Sequence, residues 1–303
     1  MSLRLGKMPR ARERSPLNSS PGGLTLARSL LATEYMAMYI KEQLKVIWVV
    51  NEDANGRGGR GNRAHGGAKS VIHTLRKKAD VSLEIVHHQA SEKNAVVDLV
   101  AYAKKAKVDL IICETHGRSG LSRLIQGSFA ESLVLASPAP VIVCNPHCRT
   151  VTSLKDILFI TDFSRQSHEV FLRILDFARL LNARIKIFHA ITAPSQPVLQ
   201  TGASLLGAGW VPLEAYYGAE SKEQKELAEI WAAAARKVGV RAEASVAARA
   251  TSVTTEVERA VRREKPALVA CAVESTGAEA AFFGSVTRNL MRRLNTPVMV
   301  TRS

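Results

Sequence analysis

The chain alternates short apolar runs with longer segments in which apolar residues recur every three or four positions. The runs Leu44–Val50, Val81–His87, Asp109–Cys113 and Pro140–Val143 suit strands buried on both faces. The segments Leu24–Gln43, Ala68–Lys78, Ser91–Lys107 and Ser128–Ala136 suit helices that turn one face to a core. Strand and helix in alternation predict an open, mostly parallel sheet with helices packed on it.

The second half of the chain follows the same plan. Strands are predicted at Ile157–Thr161, Arg184–His189, Ala242–Ala247, Ala267–Val273 and Pro297–Val300. Helices are predicted at Gln166–Leu181, Ala219–Val238, Ser252–Glu264 and Ser285–Leu294. Gly127-Ser128 precedes Pro140-Val141 by the interval that separates Gly284-Ser285 from Pro297-Val298, which points to duplication. The expected organisation is a flexible basic tail over 1–23, a first domain over 24–145, a linker over 146–155 and a second domain over 156–303. The first domain lacks a clear opening strand, because Ala11–Leu17 neither alternates nor stays apolar, and Asn18 is a weak stand-in for an aspartate after it.

Composition narrows the partners. With 303 residues, 46% of them hydrophobic and 23% charged, each half can bury its own core. No apolar run approaches the roughly 20 residues needed to cross a bilayer, so no membrane partner is expected. The arginines at the start are followed by no apolar core, which argues against a secretory leader. Four cysteines, with Cys113 and Cys271 inside strands, read as reduced core residues of a cytoplasmic protein. A formal charge of +15 favours nucleic acid, an anionic membrane surface or phosphorylated ligands, without choosing among them. The glycine- and arginine-rich segment Gly56–Arg63 carries no aromatic residue for base stacking, which makes RNA binding the less favoured reading. Cys144-Asn-Pro-His-Cys148 is half of a zinc pattern without a second ligand pair, so no metal is expected.

The chemistry concentrates in Glu114-Thr-His-Gly-Arg-Ser-Gly-Leu-Ser-Arg-Leu-Ile-Gln-Gly-Ser128, which leaves the carboxyl end of a strand and opens a helix. Unpaired amides at Ser128 and Phe129 would attract an anion such as phosphate, a reading favoured over Gly127-Ser128 as a simple helix entry and cap. Asp162 has the same two readings, ligand contact or cap of the helix that follows. No nucleophile elbow, Walker A sequence or zinc-protease helix is present, so dedicated catalysis has no sequence support.

The stretch Thr115–Leu124, then Gly127-Ser128, then Pro140-Val-Ile-Val143 resembles the signature loop of the universal stress protein family. Ile157–Ser164 is similar to that family's opening strand and the aspartate after it, and the resemblance covers nearly everything beyond residue 23. It implies two tandem, open, five-stranded α/β sheets of the adenine nucleotide alpha hydrolase-like, Rossmann-like kind, the first with a degenerate opening strand. In ATP-binding members the loop reads Gly, two residues, Gly, nine residues, Gly and Ser or Thr, and the aspartate reaches the adenosine. The first half keeps Gly117 and the nine-residue spacing to Gly127 but has Glu114 at the first glycine. The second keeps Asp162 and Gly284-Ser285 but has Glu274 at the first glycine and six residues between Gly277 and Gly284.

The resemblance implies nucleotide contacts at Glu114, Gly117, Gly127, Ser128 and Phe129 in the first half. In the second it implies Asp162, Ala190, Val273, Gly277, Gly284, Ser285 and Val286. The expected function is stress adaptation through protein partners, with ATP or a related nucleotide, and Mg if bound, held by at least one half. The expected assembly is an intramolecular pseudo-dimer, with homodimerisation left open. The alternative is an interaction scaffold that binds no nucleotide, and any enzymatic activity would be at most a weak ATPase.

Overall fold

A computed structural model describes residues 43–52, 66–89, 94–115, 129–192, 213–273 and 284–302. The first half runs β1 (Gln43–Glu52), α1 (Gly66–Arg76), β2 (Asp80–Gln89), α2 (Ala95–Ala106), β3 (Leu110–Glu114), α3 (Phe129–Ala136) and β4 (Val141–Cys144). The second runs β5 (Asp156–Ile160), α4 (Arg165–Leu181), β6 (Arg184–Thr192), α5 (Leu213–Lys237), β7 (Arg241–Ala250), α6 (Val253–Glu264), β8 (Leu268–Val273), α7 (Ser285–Arg293) and β9 (Val298–Arg302). These bounds agree with the predicted elements to within a few residues. The predicted helix Leu24–Gln43, apart from Gln43 itself, and the candidate opening strand Ala11–Leu17 lie outside the described residues.

All nine strands form one open sheet in the order β2-β1-β3-β4-β9-β8-β5-β6-β7. Every neighbouring pair is parallel except β4 and β9, the last strands of the two halves. Val141 pairs with Val300, Ile142 with Met299 and Val143 with Val298. Because Val141, Ile142 and Val143 correspond in the repeat to Val298, Met299 and Val300, this register is self-complementary. The two halves meet as matched copies do across an isologous contact. In the second half β5 lies between β6 and β8, whereas in the first β1 pairs with both β2 and β3. Among the described residues the first half therefore contributes four strands and the second five.

The apolar runs become strands because helices cover both faces and successive side chains alternate between them. Ile157 and Phe159 join the core under α1, α4 and α5, while Leu158 and Ile160 join the one under α2, α3, α6 and α7. Helix α4 shows how the sequence sets local structure. Val170, Phe171, Ile174, Leu175, Ala178 and Leu181 form its buried stripe. The Ser164 side chain caps its start by accepting the Ser167 N–H at 3.2 Å, and Asn182 ends it with a left-handed backbone at φ 51°.

A polar seam ties the halves together. Glu131, buried in the first turn of α3, meets Arg292 of α7 at 2.6 Å and Arg288 of α7 at 3.3 Å. Asn145 sends its amide N–H groups to the carbonyls of Met291 and Leu294, and the Arg149 guanidinium donates to the carbonyls of Lys265 and Pro266. No helix among the described residues is long and apolar enough to cross a membrane.

Candidate functional site

In an open α/β sheet a ligand crevice forms at the carboxyl edge where neighbouring strands send their chains to opposite sides. The second half has such a point between β5 and β8. Strand β5 continues through α4 to β6 on one side, and β8 lies on the other and continues through α7 to β9. The chain leaving β5 is Thr161-Asp162-Phe163-Ser164.

Hydrogen bonds and aromatic packing fix that turn. Thr161 Oγ1 accepts the Phe163 N–H at 2.9 Å. Phe163 adopts φ 59°, a left-handed conformation that costs a non-glycine residue about 1–3 kcal/mol and needs surrounding structure to hold it. Its buried ring supplies that hold, lying edge-on to Trp231 at 5.3 Å and beside His189 at 5.1 Å. His189 in turn donates from Nδ1 to the Thr161 carbonyl at 2.8 Å, since a carbonyl can only accept.

Asp162 is thereby presented at the crevice as an exposed residue. Its Oδ1 accepts both the Ser164 N–H at 2.9 Å and the Ser167 hydroxyl at 2.6 Å. Desolvation pushes the carboxyl's pKa up, but the bonds from Ser167 and Ser164 outweigh it and hold the group below its ordinary value. The charged form is the resident one, and Oδ2 accepts neither of these bonds. The capping reading of Asp162 is met indirectly, since Ser164 is the cap of α4 and Asp162 Oδ1 braces that cap.

Across the switch point stands the start of α7. Gly284 occupies the cap position at φ −49° and ψ 130°, with no side-chain cap and no acidic residue in the first turn. Gly284 and Ser285 are exposed and Val286 is half-buried. A methyl group added at Gly284 would meet no described atom within 4 Å, so no described neighbour requires a glycine there. Among the described residues no side chain caps the first amides of α7, and the positive end of its dipole lies on this side.

Ala190 and Val273 are buried in the core under α6 and α7, so their side chains serve packing. In the first half Glu114 ends β3 as a buried residue opposite Cys144, and the Thr115 N–H donates to the Cys144 carbonyl at 2.9 Å. Burial, helped by the Glu114 charge, pushes the neighbouring Cys113 thiol up to about 12. Phe129 opens α3 and packs half-buried on the same core as Ala190. Helix α3 differs from α7 at its entrance, since Glu131 sits in its first turn. Gly117, Gly127, Ser128, Glu274 and Gly277 lie outside the described residues. No group of three or more His, Cys, Asp and Glu side chains among the described residues is placed to hold a metal.

Sequence reasoning passed over His189 and Ser167, which position Asp162 without belonging to any motif. The one signal for them was the Asp-Phe-Ser segment ahead of an amphipathic helix. Burial lowers the pKa of His189, against the upward pull of its bond to Thr161 and the charge of Asp162, and burial likewise lowers His168. Both groups have an ordinary value of 6.5. The unfolded chain therefore takes up these protons first as pH falls, and stability should begin to drop near that value and continue down through the folded values. Thermal unfolding followed from about pH 8 to about pH 5 should show this decline, and His189→Asn should make it shallower.

The sequence profile of the universal stress protein family matches residues 37–145 and 153–302, which is most of the chain and both of its halves. The chain belongs to the universal stress protein family. A universal stress protein of Methanocaldococcus jannaschii is 36% identical over 75 residues, covering 25% of this chain. The chain spans 44% of the length of that curated relative. Among solved structures, a universal stress protein from Pseudomonas aeruginosa UCBPP-PA14 matches over 85% of this chain and 92% of its own, at a TM-score of 0.52 and 14% identity. One from Archaeoglobus fulgidus, solved in complex with dAMP, matches over 49% of this chain and 97% of its own, at a TM-score of 0.34 and 17% identity. The tandem arrangement in this family member is thus a pair of universal stress protein units sharing one sheet.

Proposed function

We propose that this universal stress protein binds an adenine nucleotide in its second half and uses occupancy of that crevice to bias a partner-binding surface. The observation that carries the reading is the pairing of a resident carboxylate, Asp162, with the uncapped, acid-free start of α7 across the β5–β8 switch point. A carboxylate suits ribose hydroxyls, which donate, and helix amides suit phosphate, which accepts. The two groups have the polarity of the two ends of a nucleotide.

The first half is assigned a structural role. Its corresponding helix start carries Glu131, which is committed to Arg288 and Arg292 of α7. A negative charge in the first turn opposes a phosphate at the same helix end. This favours one nucleotide per chain. The scaffold reading survives for the first half alone, as the support against which the second half works.

Calorimetric titration of the full chain with ATP, ADP, AMP and dAMP, each with Mg²⁺, tests the assignment. One site per chain is expected. Asp162→Ala should weaken binding about 10–100-fold, the worth of one or two hydrogen bonds to a charged group. Gly284→Val should weaken it without unfolding the protein, because the backbone angle there suits any residue and an added Cβ meets no described atom within 4 Å. An absence of heat with all four nucleotides would overturn the nucleotide reading. Unchanged affinity in both variants would move the site elsewhere.

A further inference from the structure

Two thiols outside the nucleotide crevice are neighbours. Cys144 ends β4 and is buried, while Cys148 is partly exposed in the turn that follows. The nearness of Cys148, with burial, holds the Cys144 thiol well above its ordinary pKa. The turn is closed by the Cys148 N–H on the Asn145 carbonyl at 2.9 Å and by the His147 N–H on Asn145 Oδ1 at 2.8 Å. The α1 helix presses on it, for a Cβ at Gly67 would lie 2.9 Å from the Cys148 Cβ and 3.4 Å from the Cys144 Cβ. Both Cβ atoms therefore face one small space, which glycine leaves open for them. Beyond the turn, Val151 is held to α1 by Ser70 and Thr74, and Arg149 is held to the second half through Lys265 and Pro266. The thiol pair sits where the linker is clamped from both sides.

We infer that Cys144 and Cys148 form a reversible disulfide on exposure to a hydroperoxide, making this turn an oxidant-modified site. Cys148, the accessible thiol, attacks as its thiolate the outer peroxide oxygen. The O–O bond breaks, the alcohol or water leaves with the proton, and Cys148 becomes a sulfenic acid. Cys144 then attacks the Cys148 sulfur, the S–O bond breaks, and the hydroxide leaves as water with the Cys144 proton. Two thiols are oxidised and one peroxide is reduced to an alcohol and water. A dithiol reverses the bond by exchange. The roles follow from position, since Cys148 is partly exposed while Cys144 is buried, and burial beside Cys148 keeps the Cys144 thiol protonated until the sulfenic acid forms next to it.

The consequence reaches the end of β3, because the Cys144 carbonyl holds the Thr115 N–H directly after that strand. Locking Cys144 to the linker therefore also restrains Thr115.

The full reduced chain treated with a small excess of tert-butyl hydroperoxide tests this. Free thiols counted in denaturant should fall from the four of the reduced chain by the two of one bridge. The tryptic peptide Leu124–Arg149, which contains both residues, should lose the mass of two hydrogens and regain it with dithiothreitol. Cys148→Ala changes a position outside the strands, so it should fold normally and leave Cys144 unmodified. Gly67→Ala, by displacing Cys148, should slow bridging at least about tenfold. Addition of oxygen to Cys148 without loss of the Cys144 thiol would overturn the proposal, as would a bridge involving Cys113 or Cys271, or no reaction at either residue.

Discussion

Trp231→Ala is expected to lower the unfolding free energy by about 3–5 kcal/mol, the range for removing a large aromatic from a packed core. Trp231 is 2% exposed on α5 and contacts Phe171 at 4.8 Å, Phe163 at 5.3 Å, His168 at 5.8 Å and Phe159 at 6.4 Å between ring centres. These residues come from β5, the turn after it and α4, so the indole ties α5 to the opening strand and first helix of the second half. An alanine there removes apolar area and leaves a cavity that four rings held by a strand, a turn and a helix cannot all close. The same change acts on the crevice. Phe163 keeps its left-handed backbone through its packing, and Asp162 is its chain neighbour. Trp231→Ala should therefore weaken nucleotide binding by more than its distance from Asp162 suggests. Trp231→Phe, which keeps a ring, should cost less in both respects. Chemical denaturation checks the first effect and calorimetry the second. A stability loss under about 1 kcal/mol would mean that the aromatic cluster is not what holds this half together.

The repeat, the alternation and most element positions were legible in the sequence for one reason. Strands buried on both faces have to be apolar without interruption, and Ile157–Ile160 or Leu110–Cys113 are unmistakable on that criterion. What the sequence left unread was contact between distant edges. Nothing in Val141–Val143 announces that it pairs with Val298–Val300, because an apolar strand satisfies any apolar neighbour and pairing is carried by backbone groups common to all residues. The direct pairing of β1 with β3 was equally unreadable.

The crevice was legible in outline only. Asp162 and Gly284-Ser285 stood out through a resemblance, yet the details that make Asp162 a fixed carboxylate, Ser167 and His189, are isolated polar residues. Their partners are set by the fold rather than by spacing. Ala190 and Val273 show the converse, since a family position can fall on a strand end whose side chain belongs to the core.

The seam between the halves gives the second large effect. Asn145→Ala is expected to cost about 2–4 kcal/mol, because it strips the donors from two buried carbonyls at about 1–3 kcal/mol each. The Asn145 amide reaches Met291 O at 3.0 Å and Leu294 O at 2.5 Å, and both residues are buried at the end of α7, where helix carbonyls lack partners within the helix. Asn145 thus caps a helix of the second half from the residue directly after the first half's last strand. Asn145→Asp should be worse than Asn145→Ala despite its closer shape, since it turns donors into acceptors and sets a negative charge against the negative end of a helix dipole. Hydrogen exchange locates the effect. If the residue couples the halves, protection should fall at β4 and at β9 together, whereas a purely local role would weaken only the end of α7. Because α7 also begins at the crevice, a loosened α7 should lower nucleotide affinity through its first turn, linking the seam between the repeats to the site that only one of them is proposed to keep.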